Sequence, residues 1–212
     1  MILETFPEIY KVKCLPVGTS DDPRLADDIK IIVVPDIRGK RPFDPFEPKA
    51  PAEMLSRIEQ YLKKQTSPLV RFTVNNPTYV RLKVRLGVRF KETGNPGYYQ
   101  QALGQALQRY LAPWAYDDSA EIVFGGRINA NLIVNFVERL DYVDYVAGIK
   151  LFTSLKADDE PKLADTQFAV APEAILVSDR EHVIDPITEE VYEEKYFTGI
   201  NYMQVELDFV IA

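Results

Sequence analysis

Few residues in this chain could carry chemistry, and those few lie far apart. There is one His, His182, and one Cys, Cys14. His182 stands between Glu181 and Val183 in a polar stretch. Imidazole catalysis needs a second placed group, either a nucleophile to deprotonate or a carboxylate to orient the ring. No such group is signalled beside it, so it reads as a solvated side chain. A single Cys cannot form an internal disulfide, and one His with one Cys cannot assemble a zinc ligand set. Carboxylates at Asp117-Asp118 and at Asp158-Asp159-Glu160 could hold Ca²⁺ or Mg²⁺ through oxygen, but neither run has EF-hand spacing. Both read as solvated loop acids. Gly125-Gly126-Arg127 lacks the Lys-Ser/Thr of a phosphate cradle, and a Gly pair there reads as a turn requirement or a close backbone approach. The sequence assigns no catalytic residue, no metal ligand and no cofactor, and the expectation is a chain without enzymatic activity.

The pattern that does call for explanation is a charged strand. Val80, Leu82, Val84, Leu86, Val88 and Phe90 alternate with Arg81, Lys83, Arg85 and Arg89, with Gly87 interrupting. Period-two geometry sends the two sets to opposite faces of a sheet. The apolar set should pack beneath helices at 97–111 and 128–140. The cations, aligned on one face, repel unless something neutralises them. Acids on a neighbouring strand, such as Glu206 and Asp208, could pair with them, or a partner could. Nucleic acid is the alternative partner class, but net charge is −7 and aromatic interleaving on that face is thin. Trp114, the only Trp, follows a helix end. It reads as core, with an interface anchor as the other possibility.

The elements that position these residues follow from periodicity. Ile9 to Leu15 alternates as a strand. Ile29 to Val34 is a β-branched run, buried on both faces. Residues 18–28 form a loop, and 38–50, carrying Pro42, Pro45 and Pro48, is irregular. A helix begins at Pro51 with Glu53 near its positive end, and its stripe is Met54, Leu55, Ile58, Tyr61 and Leu62. Pro68 ends the turn after it, and Val70 to Val74 is a strand. Asn75-Asn76-Pro77 is a break. After the charged strand, Asn95-Pro96 caps a helix to Leu111, with Leu103, Ala106, Leu107, Tyr110 and Leu111 inward, and Pro113 stops it. Glu121 to Phe124 reads as a short strand. The next helix shows Ile128, Leu132, Phe136 and Leu140 at four-residue spacing, with Ile133 and Val137 beside them. Tyr142 to Phe152 is a strand, 156–165 a charged loop, and Phe168 to Val177 another strand.

The expected fold class is α+β: two adjacent α/β subdomains with antiparallel or mixed sheets and helices on one face. The first spans 1–76 (β-β-α-β) and the second 77–180 (β-α-β-α-β-β). An acidic extension, 181–212, carries Glu189, Glu190, Glu193 and Glu194 and ends in the alternating strand Val205, Leu207, Phe209, Ile211. At 212 residues with 46% apolar content, the chain can bury a substantial core. Its longest apolar runs fall short of the ~20 residues of a membrane span, and Glu4 and Pro7 interrupt any signal-peptide pattern.

The order of several segments resembles a known family. Phe6-Pro7-Glu8-Ile9-Tyr10-Lys11-Val12-Lys13-Cys14, Val33-Val34-Pro35, Pro77-Thr78-Tyr79-Val80, Tyr110-Leu111-Ala112-Pro113-Trp114, Phe124-Gly125-Gly126 and Val143-Asp144-Tyr145-Val146 together resemble the late part of the J-like baseplate wedge proteins. These occur in contractile phage tails and related phage-tail-like injection particles. The likeness covers most of residues 3 to 152, and Phe6–Cys14 looks more like the injection-particle members. It implies a structural wedge subunit, present in several copies around a hub, without enzymatic activity. It would contact hub, wedge and sheath-side proteins and be assembled in the producing cell's cytoplasm. No membrane, nucleic acid or small-molecule substrate is expected. The likeness also implies that Met1 marks a cut from a longer protein. The interaction residues singled out are Arg81, Lys83, Arg85, Arg89, Trp114, Glu206 and Asp208.

Overall fold

The computed structural model describes residues 1–17, 28–40, 42–67, 70–91, 95–156 and 159–187. Glu206, Asp208, Pro68, most of the 18–28 loop and the terminal alternating strand lie outside them. The fold is α+β, with three sheets and four α-helices among the described residues. It divides into two compact units. One comprises Met1–Tyr79, Pro113–Gly126 and Val170–Leu176; the other comprises Val80–Ala112, Arg127–Ala169 and Val177–Ala212.

The first unit opens with a single helical turn, α1 (Ile2–Thr5), followed by strands β1 (Ile9–Val17) and β2 (Asp28–Pro35). Helix α2 (Ala52–Gln65) leads to strand β3 (Arg71–Asn75). β1 runs antiparallel to β2, and β3 pairs with β2 in parallel, so β2 is the central strand. That explains its unbroken β-branched sequence: Ile31, Ile32, Val33 and Val34 are all buried, on both faces. α2 packs on β3, and Ile58 and Leu62 of the expected stripe join Phe6, Ile9, Ile31, Val33, Phe72 and Val74 in the core, with Met54, Leu55 and Tyr61 at its margin. Pro51 stands at the N-cap rather than inside the helix.

Asn76, within the expected break, has a definite task. Its side-chain amide donates to Ala50 O at 3.0 Å and accepts from Ala50 N at 2.7 Å. The buried Tyr79 hydroxyl donates to Pro48 O. Proline cannot take part in a regular ladder as a donor. The proline-rich loop is therefore fastened by side chains instead of backbone pairing.

In the second unit the long strand β4 (Thr78–Phe90, its first two residues in the other unit) leads to helix α3 (Pro96–Leu111), capped by Asn95 Oδ1 accepting from Gly97 N at 2.9 Å. A short 3₁₀ turn, Pro113–Ala115, follows α3. Next come β5 (Arg127–Asn129), α4 (Ala130–Glu138), β6 (Val143–Ser154), β7 (Lys162–Ala164), β8 (Gln167–Ala169), β9 (Ala174–Ser178) and β10 (Val183–Pro186). β4 pairs antiparallel with β6 on one edge; on the other it pairs with β9 and then, in parallel, with β10. β7 extends the sheet beyond β6, and β5 pairs with β8 as a separate ribbon.

Four sequence expectations need correction. Glu121–Val123 is not a strand; only Phe124 makes an isolated bridge, to Ile175. The 168–177 stretch is two strands, because Ala171-Pro172-Glu173 interrupts it and Ala174 N turns back to Ala171 O. The charged loop 156–165 contains β7, too short to show periodicity. Finally, Ile128 lies in β5 and Asn129 caps α4 by accepting from Asn131 N. The helix therefore starts later, and its buried line is Ala130, Ile133 and Val137, while Leu132 is 55% exposed.

Candidate functional site

β4 behaves as its alternation requires. Leu82, Val84, Leu86 and Val88 are fully buried, along with Leu103 and Leu107 of α3 and Ile133 and Val137 of α4. Arg81, Lys83, Arg85 and Arg89 are all half-buried. Register places Lys83 opposite Phe152, Arg85 opposite Lys150 and Arg89 opposite Tyr145. Residues directly opposite share a face, so Lys150 joins the cationic side. Among the described residues, acids on β10 and β6 meet two of the cations. Asp185 of β10 accepts from Arg85 Nε at 2.9 Å, and Asp144 of β6 lies 3.9 Å from Arg89 Nε. The sequence reading looked to Glu206 and Asp208 for these partners; within the described residues the acids come from β10 and β6. Parallel return of β10 could not be read from a four-residue strand. Gly87 and Gly148 stand opposite each other in the same row, and both are buried.

At the edge of β4 the single His has a structural role that its polar surroundings did not suggest. Asp179 N donates to Leu82 O at 2.9 Å as β9 ends, and β10 takes up pairing at Arg85. Between them the Val84 N–H has no strand to meet. His182 Nδ1 accepts it at 3.2 Å. The proton must then sit on Nε2, which lies 3.0 Å from Ser178 Oγ and donates to it, while Ser178 Oγ donates to Asp179 O at 2.8 Å. This is the wrong tautomer for activating a serine, because the nitrogen facing the hydroxyl is already protonated. Burial holds His182 neutral, lowering its pKa to about 4; Lys83 adds to the effect and Asp179 opposes it. The Ser178–His182 pair is a ladder substitute that closes a gap between two short strands.

In the first unit Trp114 is buried, and its indole Nε1 has no hydrogen-bond partner among the described residues. It lines a recess of about 10 Å³ together with Tyr10, Asp36, Arg38, Asp117 and Asp118. Arg38 makes two hydrogen bonds to Asp36, at 2.8 and 2.9 Å, and stacks 4.8 Å from the Tyr10 ring centroid. The guanidinium lowers the Asp36 pKa to about 2. Asp117 accepts from Ser119, and Asp118 accepts from Gly39 N, so these acids serve turns. Among the described residues no group of three or more His, Cys, Asp or Glu is gathered to hold a metal ion. Gly125 has φ +65°, and a Cβ on Gly126 would meet Leu176 Cβ at 3.2 Å. The pair therefore serves a left-handed turn and a close approach.

The same unit presents a feature that sequence reading passed over. Phe43 is fully exposed, 106% of its reference area, in the proline-rich loop. It flanks a groove of about 500 Å³ with Pro35, Ile37, Pro42, Pro48 and Lys49. The signal was present as an aromatic between two prolines, Pro42 and Pro45. No helix among the described residues is long and apolar enough to cross a membrane.

Residues 2–168 match the family model described as "Baseplate protein PVC11-like". Among solved structures, the chain is similar to one in the cryo-EM structure of the anti-feeding prophage (AFP) baseplate, 6-fold symmetrised. That chain is 21% identical, with a TM-score of 0.57; the match covers 84% of this chain and 35% of the other. The present chain thus spans about a third of that chain's length, and the likeness is one of fold. No curated protein matches.

Proposed function

The chain belongs to the PVC11-like baseplate protein family, and from that premise we infer that it acts as a structural subunit of the baseplate of a phage-tail-like contractile injection particle, through protein–protein contacts. The observation that carries this reading is the family match over residues 2–168, joined by the fold shared with a baseplate chain. The side chains support it. The one hydroxyl–imidazole pair is held in a ladder with the wrong tautomer for nucleophilic attack, and the acids of the Trp114 recess are engaged in turns and an Arg pair. The protein is a non-enzymatic wedge component. It is present in several copies around a central hub, contacts hub, wedge and sheath-side subunits, and is incorporated in the producing cell's cytoplasm.

The fully exposed Phe43 and its groove supply one contact surface. A large aromatic in solvent is a natural anchor for a partner. The test is assembly. Cells lacking the chain should yield no complete baseplates by electron microscopy, and re-expression should restore them. Phe43→Ser should reduce assembled particles while leaving the melting temperature of the isolated protein unchanged. Normal particles without the chain would refute the structural role.

A further inference from the structure

The proline-rich loop repeats a three-residue unit: Pro42-Phe43-Asp44, Pro45-Phe46-Glu47, then Pro48. Three residues is the period of a polyproline II helix, which would set both rings on one face. The chain does not run straight. It bends at Phe43 and again over 45–47, and the two rings part. Phe46 is half-buried and meets Tyr116 edge to face, with centroids 5.9 Å apart at 89°. Phe43 stands fully in solvent and has no ring contact among the described residues. One unit of the repeat finds its aromatic partner inside the chain, and the other presents the same side chain outward.

The loop holds that ring ready. Before it, Gly39 N donates to Asp118 Oδ2 at 3.1 Å, Lys40 N to Ile37 O at 3.0 Å and Lys40 Nζ to Asp36 O at 2.9 Å. After it, Phe46 N donates to Asp44 Oδ1 at 3.0 Å, the Tyr79 hydroxyl donates to Pro48 O, and Asn76 makes both bonds to Ala50. Glu47 is buried, with Lys49 Nζ 3.0 Å from its Oε2. Phe43 lies between these two sets of ties, so little conformational freedom is left to lose when it is covered. The backbone offers a partner few donors. Pro42, Pro45 and Pro48 have no N–H, and those of Phe46 and Ala50 are taken. Strand addition along 42–50 is therefore disfavoured, and recognition falls to the ring.

We propose that Phe43 enters an apolar, aromatic-lined pocket on a different subunit of the particle, which gives it the edge-to-face contact that Tyr116 gives Phe46, and that Tyr79 is a positioning residue for this contact. The proposal rests on the baseplate reading and names the partner chemistry for its contact surface. Edge-to-face pairs contribute beyond the area they bury, and an aromatic on a preordered loop has the character of a hot spot.

The experiment counts particles by electron microscopy in producing cells that carry variants of the full chain. Phe43→Ser should lower their number about tenfold or more, as truncation of a hot-spot side chain does. Phe43→Met, similar in volume and favourable against aromatic rings, should keep most of them. Equal loss in both variants would mean that the assigned pocket chemistry is wrong. Near-normal counts with Phe43→Ser, the chain still incorporated, would overturn the proposal and leave the structural role standing; normal particles without the chain would sink that role instead. Sedimentation of the isolated chain should be the same with and without Phe43→Ser. A dimer lost only in the variant would make a second copy the occupant, against the proposal. For positioning, the heteronuclear NOE of the Phe43 and Asp44 amides should match that of α2 in the wild type and fall in Tyr79→Phe. Tyr79→Phe should also lower the particle count, and adding it to Phe43→Ser should cause no further loss. A further loss, or loop amides that do not change, would mean that Tyr79 acts through stability rather than through Phe43, and the positioning role would be wrong.

Discussion

Mild acid should destabilise the second unit through His182, beginning near pH 6.5 where an unfolded His titrates. In the folded protein the ring is held neutral with a pKa of about 4; an unfolded His titrates near 6.5. A lowered folded pKa means that the stability is intact above the unfolded value. It drains away as pH falls from 6.5 and is fully lost once pH passes about 4. Unfolding takes up close to one proton across that window, giving a slope of about 1.4 kcal/mol per pH unit. From pH 6.5 to 4 about 3 kcal/mol is withdrawn, a large share of a typical folding free energy. The structural cause is specific. A protonated Nδ1 cannot accept the Val84 N–H, so charging the ring leaves that donor unmet. Denaturant unfolding of the full chain at several pH values, followed by circular dichroism, measures the slope. Trp114 fluorescence would report the first unit instead. His182→Gln should be less stable by about 1–3 kcal/mol at pH 7, from an unsatisfied buried amide, and its stability should be nearly flat from pH 6.5 to 4. Because the chain has one His, its ring resonances give the native pKa directly. Equal slopes in the two proteins, or a native His titrating near 6.5, would refute the reasoning.

Asn76→Ala should cost about 2–3 kcal/mol by denaturant titration, because both polar groups of Ala50 lose their partner; Asn76→Asp should not rescue it, since a carboxylate cannot donate to Ala50 O. Gly125→Ala should lower stability by about 1–2 kcal/mol from its left-handed backbone, read as a drop in melting temperature. Arg38→Ala should raise the Asp36 pKa from about 2 toward 3.8 by carboxyl NMR; the stability that this pairing provides is present above pH 3.8 and disappears as pH falls toward 2. Arg85→Glu sets a carboxylate against Asp185, and because that pair is partly solvated the loss should stay below about 1 kcal/mol. A sharp drop in melting temperature there would mean that Arg85 belongs to a tighter internal network.

What the sequence made legible was periodic. β4 announces itself through alternation from Val80 to Phe90 that Gly87 interrupts, β2 through a β-branched run, α2 through a stripe that the core confirms, and α3 through Leu103, Leu107 and Leu111, which are buried, although Tyr110 of the expected inward set is 38% exposed. The misses share a physical cause. β7, β8 and β10 are three or four residues long, too short for any period to declare itself; β7 and β10 line up on the longer β6 and β4, and β8 pairs with the equally short β5. α4 was placed two residues early because Ile128 continues its apolar spacing, although β8 claims that residue for a ribbon. His182 looked solvated because its neighbours along the chain are polar. Its bonding partners lie across the sheet, on Val84, and on Ser178 at the end of β9. The exposed Phe43 escaped because patterning identifies aromatics that are buried, and nothing in spacing says that one will be left outside.

The interleaving of the two units bears on how the molecule is made. Each unit draws on three separate stretches, and the first requires residues up to Leu176. A ribosome that has released residues 1–79 has not yet supplied the pieces that complete that unit. Val170–Leu176 arrives only after nearly all of the second unit's strands and helices have been synthesised. Neither half can therefore mature as an independent nascent domain, and truncation at the 76/77 break would leave an incomplete first unit. A chain cut short before Leu176 therefore carries no finished first unit.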